Sequence, residues 1–209
     1  MRRRLAVAGL ALLLAWPVGG AAKPAGTAVP DPVCVRVLLA RLRAAGRAEA
    51  TVRLRRRDAV SGRTVEQAGR LALEPPRRAR LDFAGGERLT LRADGGEWLQ
   101  PALRQLVRAG PRGAAGALQW WGALLDPVGA GLEERRLDER SFALRLRGSE
   151  TSAPRIELDA RGLPVRLVLA GADGGSLEYR LRGWRFVRAR GEGDFRLAAP
   201  PGVEVVNLP

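Results

Sequence analysis

Apolar and charged residues alternate along most of this chain, and this period of two limits its fold more than any other feature. One segment shows the pattern clearly, with Ala50, Val52 and Leu54 separated by arginines. Such alternation is typical of strands that bury one face and expose the other to water. We therefore predict antiparallel strands with one apolar face and one arginine-rich face.

The same alternation recurs in about ten segments separated by turn residues. Glycine-containing turns fall at residues 58–62, 85–86 and 94–96. Near the C-terminus the phase slips, because apolar residues occupy odd positions up to Leu181 but an even position at Trp184. Gly183 stands at the slip, which predicts a β-bulge that bends a long strand.

Two stretches show helical spacing instead. Residues 32–47 predict a first helix, with Asp31 as its cap. Residues 114–125 predict a second helix that is apolar on nearly every side, with Trp120 and Trp121 near its centre. At about twelve residues it is too short to span a bilayer. It must therefore be enclosed by protein or face a hydrophobic ligand.

A sheet of about ten strongly twisted strands tends to curl. Since the apolar helices also need cover, we predict a mainly β fold: an incomplete antiparallel β-barrel whose hydrophobic concave face holds the helices. Leucine dominates the predicted interior. Such a site suits flexible hydrocarbon and offers little to orient a polar substrate.

The N-terminus predicts a secretory signal peptide at residues 1–22, because three arginines precede an apolar run and several small residues. Residues 23–209 have the length of a single domain. The one cysteine, Cys34, lies well beyond the apolar run, so we expect no lipid anchor, no internal disulfide and a packing role. These features predict a periplasmic protein.

The chain has no histidine, and its one lysine is Lys23. These absences exclude histidine-based nucleophile pairs, histidine metal sites, phosphate-loop lysines and Schiff-base lysines. Paired carboxylates remain at Glu133-Glu134 and Asp138-Glu139, but adjacent carboxylates in polar segments are usually solvated. We predict neither an enzyme nor a cofactor or metal site.

The formal net charge of +14 is consistent with binding to nucleic acid, with binding to an anionic membrane surface, or with a role in solubility only. The arginines are spread along alternating positions instead of clustering in a recognition motif. We therefore expect no nucleic-acid binding, whereas attraction to anionic lipid headgroups remains an alternative.

An ordered set of segments resembles the periplasmic lipoprotein carrier proteins of the LolA type: residues 66–71, 79–83, 94–99, 159–164, 195–197 and 200–205. The resemblance covers nearly all of the mature chain. It implies an open barrel with helices as a lid over a hydrophobic cavity. It also implies a monomeric carrier (chaperone) that takes acylated lipoproteins from an inner-membrane transporter to an outer-membrane acceptor.

The alternative is a LolA-like binder or sensor of another hydrophobic ligand in the cell envelope, such as a lipid, glycolipid or polyene. In either case the apolar faces predict which residues line the cavity and lid. These are Leu71, Leu73, Leu81, Phe83, Leu89, Leu91, Trp98, Trp120, Trp121, Leu124, Leu125, Phe142, Leu144, Ile156, Leu167 and Tyr179.

One position departs from the family pattern. LolA-type proteins carry an arginine just before the proline that follows the second strand, and this arginine helps to hold the lid shut. Here Pro76 matches that proline and Pro75 occupies the arginine position. Arg77 and Arg78 are the candidates for the lid-holding role.

Overall fold

The computed structural model describes residues 31–110, 117–147, 153–171 and 173–208, with side chains described outside residues 117–119. The predicted signal peptide and residues 114–116 of the predicted second helix lie outside these ranges. Within them, no helix combines the length and apolar character needed to cross a membrane.

Two α-helices and twelve strands form the described part of the chain. The helices are α1 (Val33–Ala45) and α2 (Ala117–Leu125). The strands are β1 (Arg47–Arg57), β2 (Thr64–Glu74), β3 (Arg78–Phe83), β4 (Arg88–Arg92), β5 (Gly95–Gln100), β6 (Gln105–Ala109), β7 (Leu132–Arg136), β8 (Ser141–Leu146), β9 (Arg155–Leu158), β10 (Pro164–Ala170), β11 (Ser176–Val187) and β12 (Glu204–Leu208).

All twelve strands belong to one sheet, in the order β12-β6-β5-β4-β3-β2-β1-β11-β10-β9-β8-β7. The two edge strands do not pair with each other, so the sheet stays open, and the predicted mainly β, incomplete barrel is confirmed. One pair departs from the predicted antiparallel pattern, because β12 runs parallel to β6. The long strands β1 and β11 join the two meanders at the centre of the sheet.

The helices lie on one face of the sheet, which we call the inner face; the other is the outer face. Helix α2 packs on β3 and β4, yet the Trp121 ring contacts Tyr179 of β11 with ring centroids 5.6 Å apart. In a flat sheet β11 would lie about 14 Å from β3, at three strand spacings. The sheet must therefore curve around α2, which makes the inner face concave.

Helix α1 is capped from a distant strand instead of by Asp31. Glu134 of β7 accepts hydrogen bonds from the backbone N–H groups of Val33 at 2.7 Å and Cys34 at 3.0 Å. Pro32 occupies the cap position and forms no side-chain cap, so the Asp31 carboxylate instead accepts a hydrogen bond from Arg43 at 2.9 Å. The predicted Asp31 cap is therefore wrong.

The predicted bulge is confirmed at Gly183. The register between β1 and β11 shifts between the pairs Thr51–Arg182 and Glu49–Arg185, and Gly183 has a φ of +64° in the left-handed region. Beside it, the Trp184 indole N–H donates to the carbonyl oxygen of Pro164 at 2.7 Å. A bulge of this kind bends the strand that carries it.

The thiol of Cys34 packs in the core, as predicted, and is fully buried. Burial raises its pKa strongly, and a hydrogen bond with Glu134 and the charge of that carboxylate raise it further. We predict that iodoacetamide labels the folded protein roughly a hundredfold more slowly than the protein in urea, because the thiolate is the reactive form. Equal labelling rates, followed by mass spectrometry, would contradict this placement.

Glu178, on the outer face, should make the stability of the fold depend on pH. Burial alone would raise its pKa, but hydrogen bonds from Arg180 and Arg166, at 2.9 and 2.7 Å, outweigh burial and lower the pKa. The ionised Glu178 carboxylate therefore stabilises the folded state fully above the ordinary glutamate pKa. This stabilisation is lost as the pH falls through the lowered pKa of the folded state.

We expect Glu178→Gln to lower the free energy of unfolding by roughly 1 kcal/mol at neutral pH. The difference between the variant and the parent protein should shrink between about pH 5 and pH 3. Urea unfolding at several pH values measures this, and a pH-independent difference would speak against the assignment.

Candidate functional site

The predicted cavity and lid residues lie together on the inner face. All except Leu89 and Trp98 are buried members of one hydrophobic cluster: Leu71, Leu73, Leu81, Phe83, Leu91, Trp120, Trp121, Leu124, Leu125, Phe142, Leu144, Ile156, Leu167 and Tyr179. Leu89 is half-buried and packs against this cluster. The structure thus brings them to one place, while their ligand-binding role stays a prediction.

Helix α1 belongs to the same cluster, although sequence reasoning did not include it in the site. It packs on β1, β9, β10 and β11, whereas α2 packs on β3 and β4. Its buried side chains are Cys34, Val35, Leu38, Leu39 and Leu42. The helical spacing of these residues is the sequence feature that identifies them. The two helices therefore cover different halves of the inner face.

Helix α2 approaches the sheet closely at Gly122. A Cβ atom there would lie 2.8 Å from Cδ2 of Leu91 and 3.8 Å from Nη2 of Arg77. The Arg77 guanidinium therefore lies beside α2, whereas Arg78 lies on the outer face, 5.7 Å from the centroid of the Phe195 ring. Of the two lid-holding candidates, the geometry favours Arg77.

The described side chains of α2 make no polar contacts with the sheet. No side chain from Trp120 to Leu125 forms a hydrogen bond or ion pair with another described residue. The Trp121 side chain is fully buried, and its Nε1–H has no partner among the described residues. A buried unpaired donor costs about 1 to 3 kcal/mol. The described side chains of α2, residues 120–125, thus contact the inner face by packing, at a polar cost that an added acceptor would relieve.

Trp98 lies at the rim of the inner face, in a polar setting that its predicted cavity role did not anticipate. Its indole N–H donates to Glu87 at 2.7 Å, and Gln67 donates to the same carboxylate at 2.9 Å. A pocket of about 320 Å³ opens here, which we call the end pocket. It is lined by Arg56, Gln67, Gly85, Glu87, Trp98, Gln100, Pro101, Ala102 and Leu103.

Tyr179 belongs to the buried cluster and is paired in register with Leu54, two residues before Arg56 of the end pocket. Its ring meets the Trp121 ring edge to face, with an interplanar angle of 86°. Burial raises the pKa of the hydroxyl strongly; the positive charge of Arg56 lowers that pKa and the negative charge of Glu87 raises it.

No protein-family model matches the sequence, and no curated protein does. Solved structures similar to this chain include an uncharacterized conserved protein from Thermus thermophilus, with 18% identity, a TM-score of 0.47, and coverage of 82% of this chain and 97% of the other. A LolA superfamily protein from Nitrosomonas europaea has 11% identity and a TM-score of 0.48, with 81% and 99% of the chains covered.

A putative outer membrane lipoprotein-sorting protein domain from Vibrio parahaemolyticus has 11% identity and a TM-score of 0.41, covering 77% of this chain and 95% of that domain. LolA-like proteins are thus among the structures that this chain is similar to, as the sequence resemblance predicted. By its own geometry, the chain is an open β-sheet that curves around two helices to enclose an apolar inner face.

Proposed function

We propose that this protein binds acyl chains between α2 and the inner face, and that it carries acylated lipoproteins through the periplasm towards the outer membrane. An inner-membrane transporter would load it and an outer-membrane acceptor would unload it. The alternative cargo is another envelope lipid bound at the same face.

One observation carries the proposal: the described side chains of α2, residues 120–125, contact the inner face by packing, and the Trp121 N–H has no hydrogen-bond partner among the described residues. Burying hydrocarbon is worth roughly 0.8 kcal/mol per CH₂ group, whether the buried group belongs to α2 or to an acyl chain. A ligand can therefore replace the cover at little net cost. The ester or amide oxygen of an acylated molecule would also give the indole N–H an acceptor.

A carrier of this kind needs no chemistry of its own. It must bind its cargo well enough to shield the acyl chains from water, yet release them to a partner. A shift between closed and displaced positions of α2 supplies this, because the two positions differ in affinity for the ligand. Arg77, whose guanidinium lies beside Gly122, would bias that equilibrium in this proposal.

The test is binding of dansylundecanoic acid, an acyl-chain probe whose fluorescence rises in apolar surroundings. Trp121→Asp and Leu124→Asp place a charge on the buried side of α2, so we expect each to weaken probe binding at least tenfold, or by about 1.4 kcal/mol. Val60→Asp is the matched control, since Val60 is 98% exposed and the same charge there should change nothing.

Circular dichroism must show that the sheet of each variant is intact. If the parent protein does not bind the probe, or if both folded variants bind it normally, the proposed function is wrong. Native mass spectrometry of protein purified from a periplasmic extract then identifies the cargo. Bound lipoprotein supports the lipoprotein carrier, and bound free lipid supports the alternative.

A further inference from the structure

We propose that the end pocket binds a zwitterionic phosphate–ammonium headgroup, so that glycerophospholipids of the phosphatidylethanolamine type are a further class of ligand. In this arrangement Arg56 contacts the phosphate and Glu87 contacts the ammonium group. The inference rests on the proposed function, because the acyl chains of the same lipid would occupy the inner face.

The end pocket contains one charge of each sign, and the two do not neutralise each other. Arg56 and Glu87 both line it, yet no ion pair joins them. The Arg56 side chain is exposed, and its guanidinium forms no hydrogen bond or ion pair within the described part of the chain. A guanidinium in this state can bind a phosphate through two parallel hydrogen bonds.

Glu87 is oriented but not saturated. Trp98 donates to its Oε1 atom and Gln67 donates to its Oε2 atom, which fixes the carboxylate in the pocket. Each carboxylate oxygen can accept a second hydrogen bond, as an ammonium group requires. The neighbouring Trp98 ring adds a further surface that attracts a cation. The same arrangement disfavours a headgroup that carries only negative charge.

The end pocket also lies where a headgroup must lie if the lipid tails follow the inner face. Trp98 is paired in register with Leu89, which packs against the buried cluster. Arg56 follows Leu54 on the same face of β1, and Leu54 belongs to the cluster. The end pocket has a volume of about 320 Å³, which is within the range of small-ligand sites.

The experiment compares dihexanoyl phosphatidylethanolamine with dihexanoyl phosphatidylglycerol as competitors of dansylundecanoic acid on the mature protein. The two lipids have the same tails and differ in the headgroup. We expect the ethanolamine lipid to displace the probe at a concentration at least tenfold lower. Glu87→Gln should reduce this preference to about one, and Arg56→Gln should weaken both lipids. Glu66→Gln, on the exposed outer face, is the control.

Equal potency of the two lipids on the parent protein, or a preference for phosphatidylglycerol, would overturn the headgroup assignment. An unchanged preference in Glu87→Gln would also overturn it. Each of these results would leave probe binding itself intact. Failure of the parent protein to bind the probe is a different result, because it removes the proposed function as well.

Discussion

Replacing Glu74 with alanine should lower the free energy of unfolding by about 3 to 5 kcal/mol, because it breaks a buried ionic cluster. Glu74 lies on the outer face at the end of β2 and is fully buried. Its carboxylate binds Arg47 at 3.0 Å and Arg78 at 3.3 Å. The substitution removes the shared anion and leaves these two guanidinium groups short of countercharge.

The loss should extend to residues 188–197, which cross the outer face and which we call the strap. The Glu74 carboxylate accepts a hydrogen bond from the backbone N–H of Arg190 at 2.8 Å. Farther along the strap, Asp194 binds Arg47 at 2.6 Å, and the Phe195 side chain is fully buried. We therefore expect the strap amides to exchange hydrogen faster in Glu74→Ala than in the parent protein.

Glu66→Ala is the matched control, because Glu66 is a glutamate on the same strand and the same face. Its side chain is 55% exposed, and its ion pair with Arg55 is 3.9 Å long. An exposed pair contributes at most about 1 kcal/mol. Urea unfolding of both variants tests the comparison. Equal losses of stability would mean that the buried Glu74 cluster stabilises the fold no more than an exposed ion pair does.

The strand faces were predictable from the sequence because a half-buried strand repeats every two residues. Ala50, Val52 and Leu54 lie on the inner face as the alternation predicted, and they pair with inner-face residues of β2. The phase slip at Gly183 predicted the bulge for the same reason. The brief strands β6 and β12 pair in parallel, and their short sequences contain no feature that indicates this orientation.

The ionic contacts between distant segments were not predictable. Glu74 occupies an outer-face position, which the alternating pattern assigns to solvent, and only the strap buries it. The sequence predicts Glu134 to be one of two adjacent exposed carboxylates, yet its side chain caps α1. Both roles depend on tertiary packing that brings together segments about 100 residues or more apart.

The apolar part of the site followed from the sequence, whereas its polar end did not. The inner-face leucines recur with the strand period, so their cluster could be predicted. Arg56, Gln67 and Glu87 interrupt that period near turns and are far apart in the chain. Only the pairing of the consecutive strands β1 to β5 brings them into one pocket. The resemblance to carriers also left Arg77 and Arg78 equivalent until the structure separated their faces.

Trp121→Ala should lower the free energy of unfolding by about 3 to 5 kcal/mol and should at the same time allow an acyl ligand to restore much of the loss. The truncation leaves a cavity against the Tyr179 ring, where the indole now packs edge to face. If the space beneath α2 is the acyl-chain site, a ligand can fill that cavity. At a ligand concentration of about 100 times Kd, the gain is about 2.7 kcal/mol.

Leu42→Ala separates this result from a general effect of ligand on a weakened core. Leu42 is fully buried in α1 and belongs to the same cluster, but it lies on the helix that covers the other half of the inner face. Its truncation should cost about 2 to 5 kcal/mol. Dodecanoic acid should then raise the thermal unfolding midpoint of Trp121→Ala more than that of Leu42→Ala. Equal rescue of both variants, or rescue of neither, would mean that Trp121 is core packing and that the acyl chain does not bind beneath α2.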